Sequence, residues 1–173
     1  MNPSPELIQQ AKAGDIHAFA LLYQSVYKDL YCFALYTLQH PQDAEDVVSE
    51  TVLDAFSQLR TLREDGAFCS WIFRILSNKC RRRIRDYINP PVELDDMTDA
   101  HNAPAHRTDA DLSVQTDVRR AFAALPKDDR LILALNLFAG YSSQEIGEQL
   151  DMNPNTVRSR QSRALKKLEQ MLS

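Results

Sequence analysis

The sequence predicts an all-α protein made of two small helical domains, a four-helix bundle over residues 1–87 and a helix-turn-helix unit over residues 118–173. A flexible acidic linker, residues 88–117, joins them. Three observations carry this reading. Only four of 173 residues are glycine, and the abundant Leu, Ala, Gln and Arg favour helices. Apolar residues recur at three- and four-residue steps in both flanking segments. The segment between them holds seven Asp or Glu against one Lys or Arg and scarcely any apolar periodicity, so burial there cannot offset the entropy of ordering.

The elements follow in order. Ser4 before Pro5 starts a first helix, because the hydroxyl caps free amides and proline suits the first helical position; Gly14 stops it. Asp15 caps a second, whose stripe runs through Phe19, Leu22, Tyr23, Val26, Tyr27, Leu30, Ala34, Leu35 and Leu38 before Pro41. A third begins near Asp43, turns Val47, Val48, Thr51, Val52, Ala55, Phe56 and Leu59 to one side, and ends in polar residues 60–66. The fourth carries Phe68, Trp71, Ile72, Ile75 and Leu76 inward and leaves Phe73 off the stripe, exposed. It runs to about Tyr87, since Pro90 and Pro91 forbid continuation.

In the second block Val118, Phe122 and Leu125 make a short helix, and Pro126 opens another bearing Leu131, Ile132, Leu135 and Phe138 that Gly140 closes. Ser142 and Glu145 have the spacing of a capping box, followed by Ile146 and Leu150 facing inward. Asn153 and Pro154 start the last helix, with Val157, Ala164, Leu165, Leu168 and Leu172 on its inner side. Helix, tight turn, helix is the helix-turn-helix arrangement.

Composition narrows function. The net charge of −4 argues against tight, unaided DNA binding, although the C-terminal block alone is basic, with nine Lys or Arg against six Asp or Glu. No apolar run approaches the ~18 to 20 residues that span a bilayer, and the N-terminus lacks a basic stretch leading into an apolar one; a cytoplasmic protein is expected. Cys32, Cys69 and Cys80 lack close pairing, which suggests reduced and mostly buried thiols. There is no glycine-rich phosphate loop and no ligand spacing among His17, His40, His101 and His106, so neither enzyme, cofactor nor metal is indicated.

Three groups of side chains stand out. Asn155, Thr156, Arg158, Ser159, Arg160 and Arg163, on the last helix, are the types that reach base edges and phosphates in a major groove. Lys79, Arg81, Arg82, Arg83 and Arg85, beside Asn78, end the fourth helix. They suit phosphate contact, but a cationic last turn also stabilises a helix through its dipole. Asp43, Asp46, Glu50 and Asp54 form one acidic face on the third helix, either solvated surface or a seat for a basic partner.

DAEDVVSETVLDAF, AFCSWIFRILSNKCRRRIRD and LPKDDRLILALNLFAGYSSQEIGEQLDMNPNTVRSRQSRALKKL together resemble regions 2 and 4 of extracytoplasmic-function (ECF) sigma factors of the sigma-70 family. The resemblance implies that residues 1–87 are region 2, which binds the coiled coil of the largest RNA polymerase subunit and captures the −10 element as melted strand. Residues 118–173 would be region 4, which reads the −35 element as duplex and touches the polymerase flap. It assigns Arg63, Glu64, Asp65, Gly66 and Ala67 to the loop that holds an extruded base, and Asn78, Lys79, Arg81, Arg82 and Arg83 to positions near that strand. Asp43, Asp46, Ser49, Glu50 and Asp54 go to the polymerase contact. An anti-sigma partner is implied as well, with no small-molecule substrate. Three departures matter: Ser49 stands where Gln is usual, the loop glycine is shifted to Gly66, and Gln161 takes a usually apolar place. A further expectation is that the acidic linker visits the two basic faces and competes with DNA for them.

Overall fold

The computed structural model describes residues 3–88 and 117–173. Helices α1 (Pro5–Lys12), α2 (Ile16–Leu38), α3 (Pro41–Gln58) and α4 (Phe68–Ile88) form the first block, with short 3-10 turns at Leu59–Thr61 and Asp65–Ala67 between α3 and α4. Helical residues 117–123 (α5), α6 (Lys127–Leu137), α7 (Ser143–Leu150) and α8 (Pro154–Leu172) form the second. No strand occurs among the described residues. Of the expected linker, Ile88 ends α4 and Asp117 begins α5; residues 89–116, with the other six acidic side chains, lie outside the described residues, as does the expectation that the linker competes with DNA.

Local chemistry sets the boundaries. The Ser4 hydroxyl accepts from the Leu7 amide at 3.3 Å, and an Asp15 carboxylate oxygen accepts from the amides of His17 and Ala18 at 2.8 and 3.1 Å. Gly14 between them has φ 103°, a conformation that favours glycine. Helix α2 ends on Gln39 at φ 64°, whose amide donates to the Leu35 carbonyl. Helix α3 begins two residues before the expected start: Pro41 occupies its first turn, and His40 caps it by accepting from the Asp43 amide.

The bundle core centres on Phe33, Phe68, Leu22, Leu30, Ile72 and Leu76, all essentially inaccessible. Phe73, expected on the surface, is 3% exposed and meets Phe33 edge-on at 5.7 Å. The reason is packing: α4 lies against both α2 and α3 and buries a wider arc than a single stripe. Conversely Tyr27 and Phe56, expected inside, are 44% and 49% exposed, although Phe56 still touches Phe19 at 5.0 Å.

Helix α6 buries six consecutive residues, Arg130 to Leu135, because it is sandwiched between α8 on one side and α2 and α4 on the other. The two blocks therefore share apolar contact, and Leu131, Ile132, Ala134, Leu135, Ile146 and Val157 join the same cluster as the bundle core. Leu165 and Leu172, expected inward, are exposed on α8.

Asp65 ties the loop before α4 to the first helix, accepting from Lys12 Nζ at 2.5 Å and from the Gln9 amide. These hydrogen bonds, with that from Lys12 the largest, hold its carboxyl below the usual carboxylate range. A depressed folded-state value means that the stabilisation is present above the ordinary carboxylate range and is lost as pH falls through the lowered value. In acid titrations of thermal stability, Asp65→Asn is expected to flatten this part of the pH dependence; an unchanged slope would show that Asp65 is not tied in solution.

Candidate nucleic-acid interface

Helix α7 opens on a capping box: the Ser142 amide donates to Glu145 Oε2 at 2.8 Å and the Glu145 amide to Ser142 Oγ at 3.3 Å. The Ser142 hydroxyl, then its amide, holds the Glu145 carboxyl below its ordinary range. The helix ends on Asp151, at φ 56°, and the Met152 amide returns to the Gly147 carbonyl at 2.8 Å. Gly147 permits this turn, since a Cβ there would lie 2.7 Å from the Met152 carbonyl oxygen. The Asn153 side chain accepts from the Asn155 amide at 2.9 Å, and Pro154 starts α8.

Helix α8 buries Val157, Gln161, Ala164 and Leu168 and exposes Asn155, Thr156, Arg158, Ser159 and Arg163. Arg158 donates to Asn155 Oδ1 at 2.7 Å, and the Ser159 hydroxyl to the Asn155 carbonyl at 2.9 Å. Arg160 differs from this set. Its guanidinium reaches Asp128 and Asp129 of α6 at 3.2 and 3.3 Å, which makes it a strut between helices. Gln161 is accommodated by the Ser143 hydroxyl, which donates to its Oε1 at 2.7 Å, while its Nε2 has no hydrogen-bond partner among the described residues.

The cations of α4 divide. Lys79 bonds Asp54 at 2.7 Å and Glu50 at 3.4 Å, and Arg83 reaches Asp43 at 2.8 Å and Glu50 at 3.7 Å. Tyr87 also donates to Asp43; burial first, then that bond, push its hydroxyl pKa up. Much of the acidic face of α3 thus pairs with the basic end of α4 along the bundle surface, where the Glu50 and Asp54 side chains are 53% and 43% exposed. Arg81 donates to the Gln149 carbonyl at 3.0 Å, while Asn78, Arg82 and Arg85 are exposed. In the preceding loop Arg63, Glu64 and Gly66 are exposed, and a Cβ on Gly66 would meet nothing within 4 Å.

On α3, Asp46 is exposed and, among the described residues, accepts only from the neighbouring Gln42 amide at 3.3 Å. Exposed Ser49 lies in helical step with Leu53 and Phe56, which are 70% and 49% exposed. Leu53 and Phe56 were not among the sequence-derived candidates. The signal was present, because helical positions 49, 53 and 56 share a face, but the apolar pattern assigned Phe56 to the core. Among the described residues no His, Cys, Asp and Glu group is arranged to hold a metal, and no helix is long and apolar enough to cross a membrane.

A helix-turn-helix with five exposed polar side chains at the start of its second helix, beside a bundle with exposed cations at one helix end, defines a two-part helical DNA-binding protein. Comparison with known proteins narrows the class. The family described as Sigma-70 region 2 matches residues 22–87, and Sigma-70, region 4 matches residues 115–168. The ECF RNA polymerase sigma factor SigM of Mycobacterium tuberculosis is 31% identical over 168 residues, covering 96% of this chain and 83% of that protein. The ECF sigma-E factor of Haemophilus influenzae is 28% identical, covering 94% and 92%. Among solved structures, CnrH in complex with the cytosolic domain of CnrY aligns with a TM-score of 0.66 at 26% identity, over 96% of this chain and 95% of that one. The chain belongs to the sigma-70 family as an ECF sigma factor, a promoter-specific transcription initiation factor and not an enzyme.

Proposed function

We propose that residues 118–173 read the −35 element as duplex through Asn155, Thr156, Arg158, Ser159 and Arg163, while residues 1–87 dock on core polymerase and capture the melted −10 strand. The observation that carries the reading is the exposed polar face at the start of α8, held in place by the buried side of the same helix. Arginine pairs bidentately with guanine, and the shorter side chains add single hydrogen bonds. On the −10 side, Asn78, Arg82 and the loop at residues 63–67 contact the strand. Lys79 and Arg83 set the orientation of α4 through their pairs with α3. Opening is driven by binding: contacts to an unstacked base offset the roughly few kcal/mol that extrusion costs, without ATP.

The polymerase contact is the exposed α3 surface around Asp46, Ser49 and Glu50, extended by Leu53 and Phe56, with the flap meeting the second block. CnrH is solved with CnrY bound, and the match to it over both blocks supports an anti-sigma partner of the same kind here. The site of action is the cytoplasm. Asp46→Lys is the cleanest test, because Asp46 takes no part in the α3–α4 ion pairs whereas Glu50 does. It is expected to weaken assembly with core polymerase at least about tenfold, roughly 1.4 kcal/mol, while thermal melting is unchanged. Unaltered core affinity would remove this face from the interface.

A further inference from the structure

The loop before α4 is held at both ends and once in the middle. Leu62 ahead of it and Phe68 after it are buried in the bundle core, and the Ala67 amide donates to the Glu64 carbonyl at 3.0 Å, which closes the turn between them. The hold in the middle is a side chain. Asp65 reaches back to α1, where Lys12 Nζ donates to it at 2.5 Å and the Gln9 amide donates as well. The Lys12 and Asp65 side chains are only 17% and 16% exposed, so water and salt compete with this tie less than with an open surface pair. Helix α1 is itself anchored: Ile8 and Ala11 are buried in the bundle core, and the helix packs against both 3-10 turns between α3 and α4. Gln9 and Lys12, three residues apart, form the row of α1 beside that buried side. Arg63, Glu64 and Gly66, on either side of Asp65, are exposed.

We propose that Gln9 and Lys12 of α1 are positioning residues for strand capture: they hold Asp65 so that the loop presents Arg63 and Glu64 to the extruded base, and Asp65 acts through the loop rather than on the strand. The proposal rests on the assignment of residues 63–67 to the −10 strand. The tie favours capture in two ways. A loop that is already fixed loses little conformational freedom when a base docks, so less of the contact energy is offset by ordering. Lys12 also neutralises the Asp65 carboxylate, which would otherwise repel the phosphates that approach Arg63. With Asp65 committed to α1, Arg63 and Glu64 are the charged loop side chains left to discriminate the base. Sequence preference at that position therefore depends on α1, although neither Gln9 nor Lys12 touches the base.

The test uses holoenzyme assembled from the full-length chain and core polymerase, with two fluorescent probes of randomised sequence: a fork, duplex upstream and single-stranded across the −10 region, and a fully paired duplex. Lys12→Met and Asp65→Ala are each expected to weaken fork retention about tenfold, and the double variant to lose no more than either, because all three break one tie. Core affinity and duplex binding should stay at the wild-type level, a split that general weakening of the bundle would not produce. Sequencing of the retained forks should show broadened preference at one −10 position. Gln9→Ala keeps the ion pair and is expected to lose about threefold; it carries the test if the charge variants lose their fold. Additive losses in the double variant, or a loss for Asp65→Ala with none for Lys12→Met, would mean that Asp65 acts on the strand directly and overturn the proposal. An Arg63→Ala arm separates it from the reading beneath it. If Arg63→Ala weakens fork retention while Lys12→Met and Gln9→Ala do not, the strand assignment stands and the role of α1 is refuted. If Arg63→Ala has no effect, the assignment fails and the proposal falls with it.

Discussion

Gly147→Val is expected to abolish −35 reading and to lower thermal stability, while α1 to α4 remain folded. A Cβ at position 147 would sit 2.7 Å from the Met152 carbonyl oxygen and 3.3 Å from Pro154 Cγ. The first neighbour is backbone and cannot rotate away, so α7 must move relative to the turn that aims α8. Overpacking of this kind costs about 1–3 kcal/mol, which for a chain of this size lowers Tm by roughly 2–4 °C per kcal/mol. Because α8 takes its direction from the same turn, the loss of DNA reading should exceed what the stability change alone explains. Gly147→Ala should show the same effect in milder form. Melting curves and duplex binding on both variants check it, and a Gly147→Val protein with unchanged Tm would show that the turn is looser than its geometry indicates.

Arg158→Ala and Arg163→Ala are each expected to weaken −35 binding by roughly 1–3 kcal/mol while leaving assembly with core polymerase intact. Both side chains are exposed, and among the described residues they bond only locally, to Asn155 and Ser159. Relaxed preference at one promoter position would identify a base contact; uniform weakening across sequences, with a shallower salt dependence, would identify a phosphate contact. Arg160→Ala should behave otherwise. It removes the ties to Asp128 and Asp129, so its main effect should be on the setting of α8 against α6, alike for all promoter sequences. Equal loss of polymerase assembly in the Arg158 and Arg163 variants would contradict a role confined to DNA.

Much of the architecture was legible because its signals are local. The caps at Ser4, Asp15, Ser142 and Asn153 formed as expected, since each depends on residues within one turn. That Asn155, Thr156, Arg158, Ser159 and Arg163 share the exposed side of α8 was legible for the same reason. What escaped depends on neighbours distant in sequence. Phe73 is buried because α4 is flanked on two sides, and Leu133 and Ala134 because α6 bridges the two blocks; periodicity within one helix reports neither. Lys79 and Arg83 read as a cationic cluster with Arg81 and Arg82, but Asp43, Glu50 and Asp54 take them into ion pairs across α3 and α4. Composition could not distinguish a cation committed to a helix pair from one free for phosphate. Gly147 carried a signal only in hindsight, since a glycine inside a short helix marks a close approach.

The central claim is that this chain directs core RNA polymerase to particular promoters through the exposed face of α8. The most direct measurement combines purified chain, core polymerase and a promoter library, and maps transcript start sites by sequencing, with wild-type and Arg158→Ala proteins in parallel. Starts should appear only when the chain is present, should share a duplex motif upstream of a melted one, and should fall or broaden in preference with Arg158→Ala. Starts that are independent of the chain, or a shared upstream motif untouched by Arg158→Ala and Arg163→Ala alike, would contradict the account.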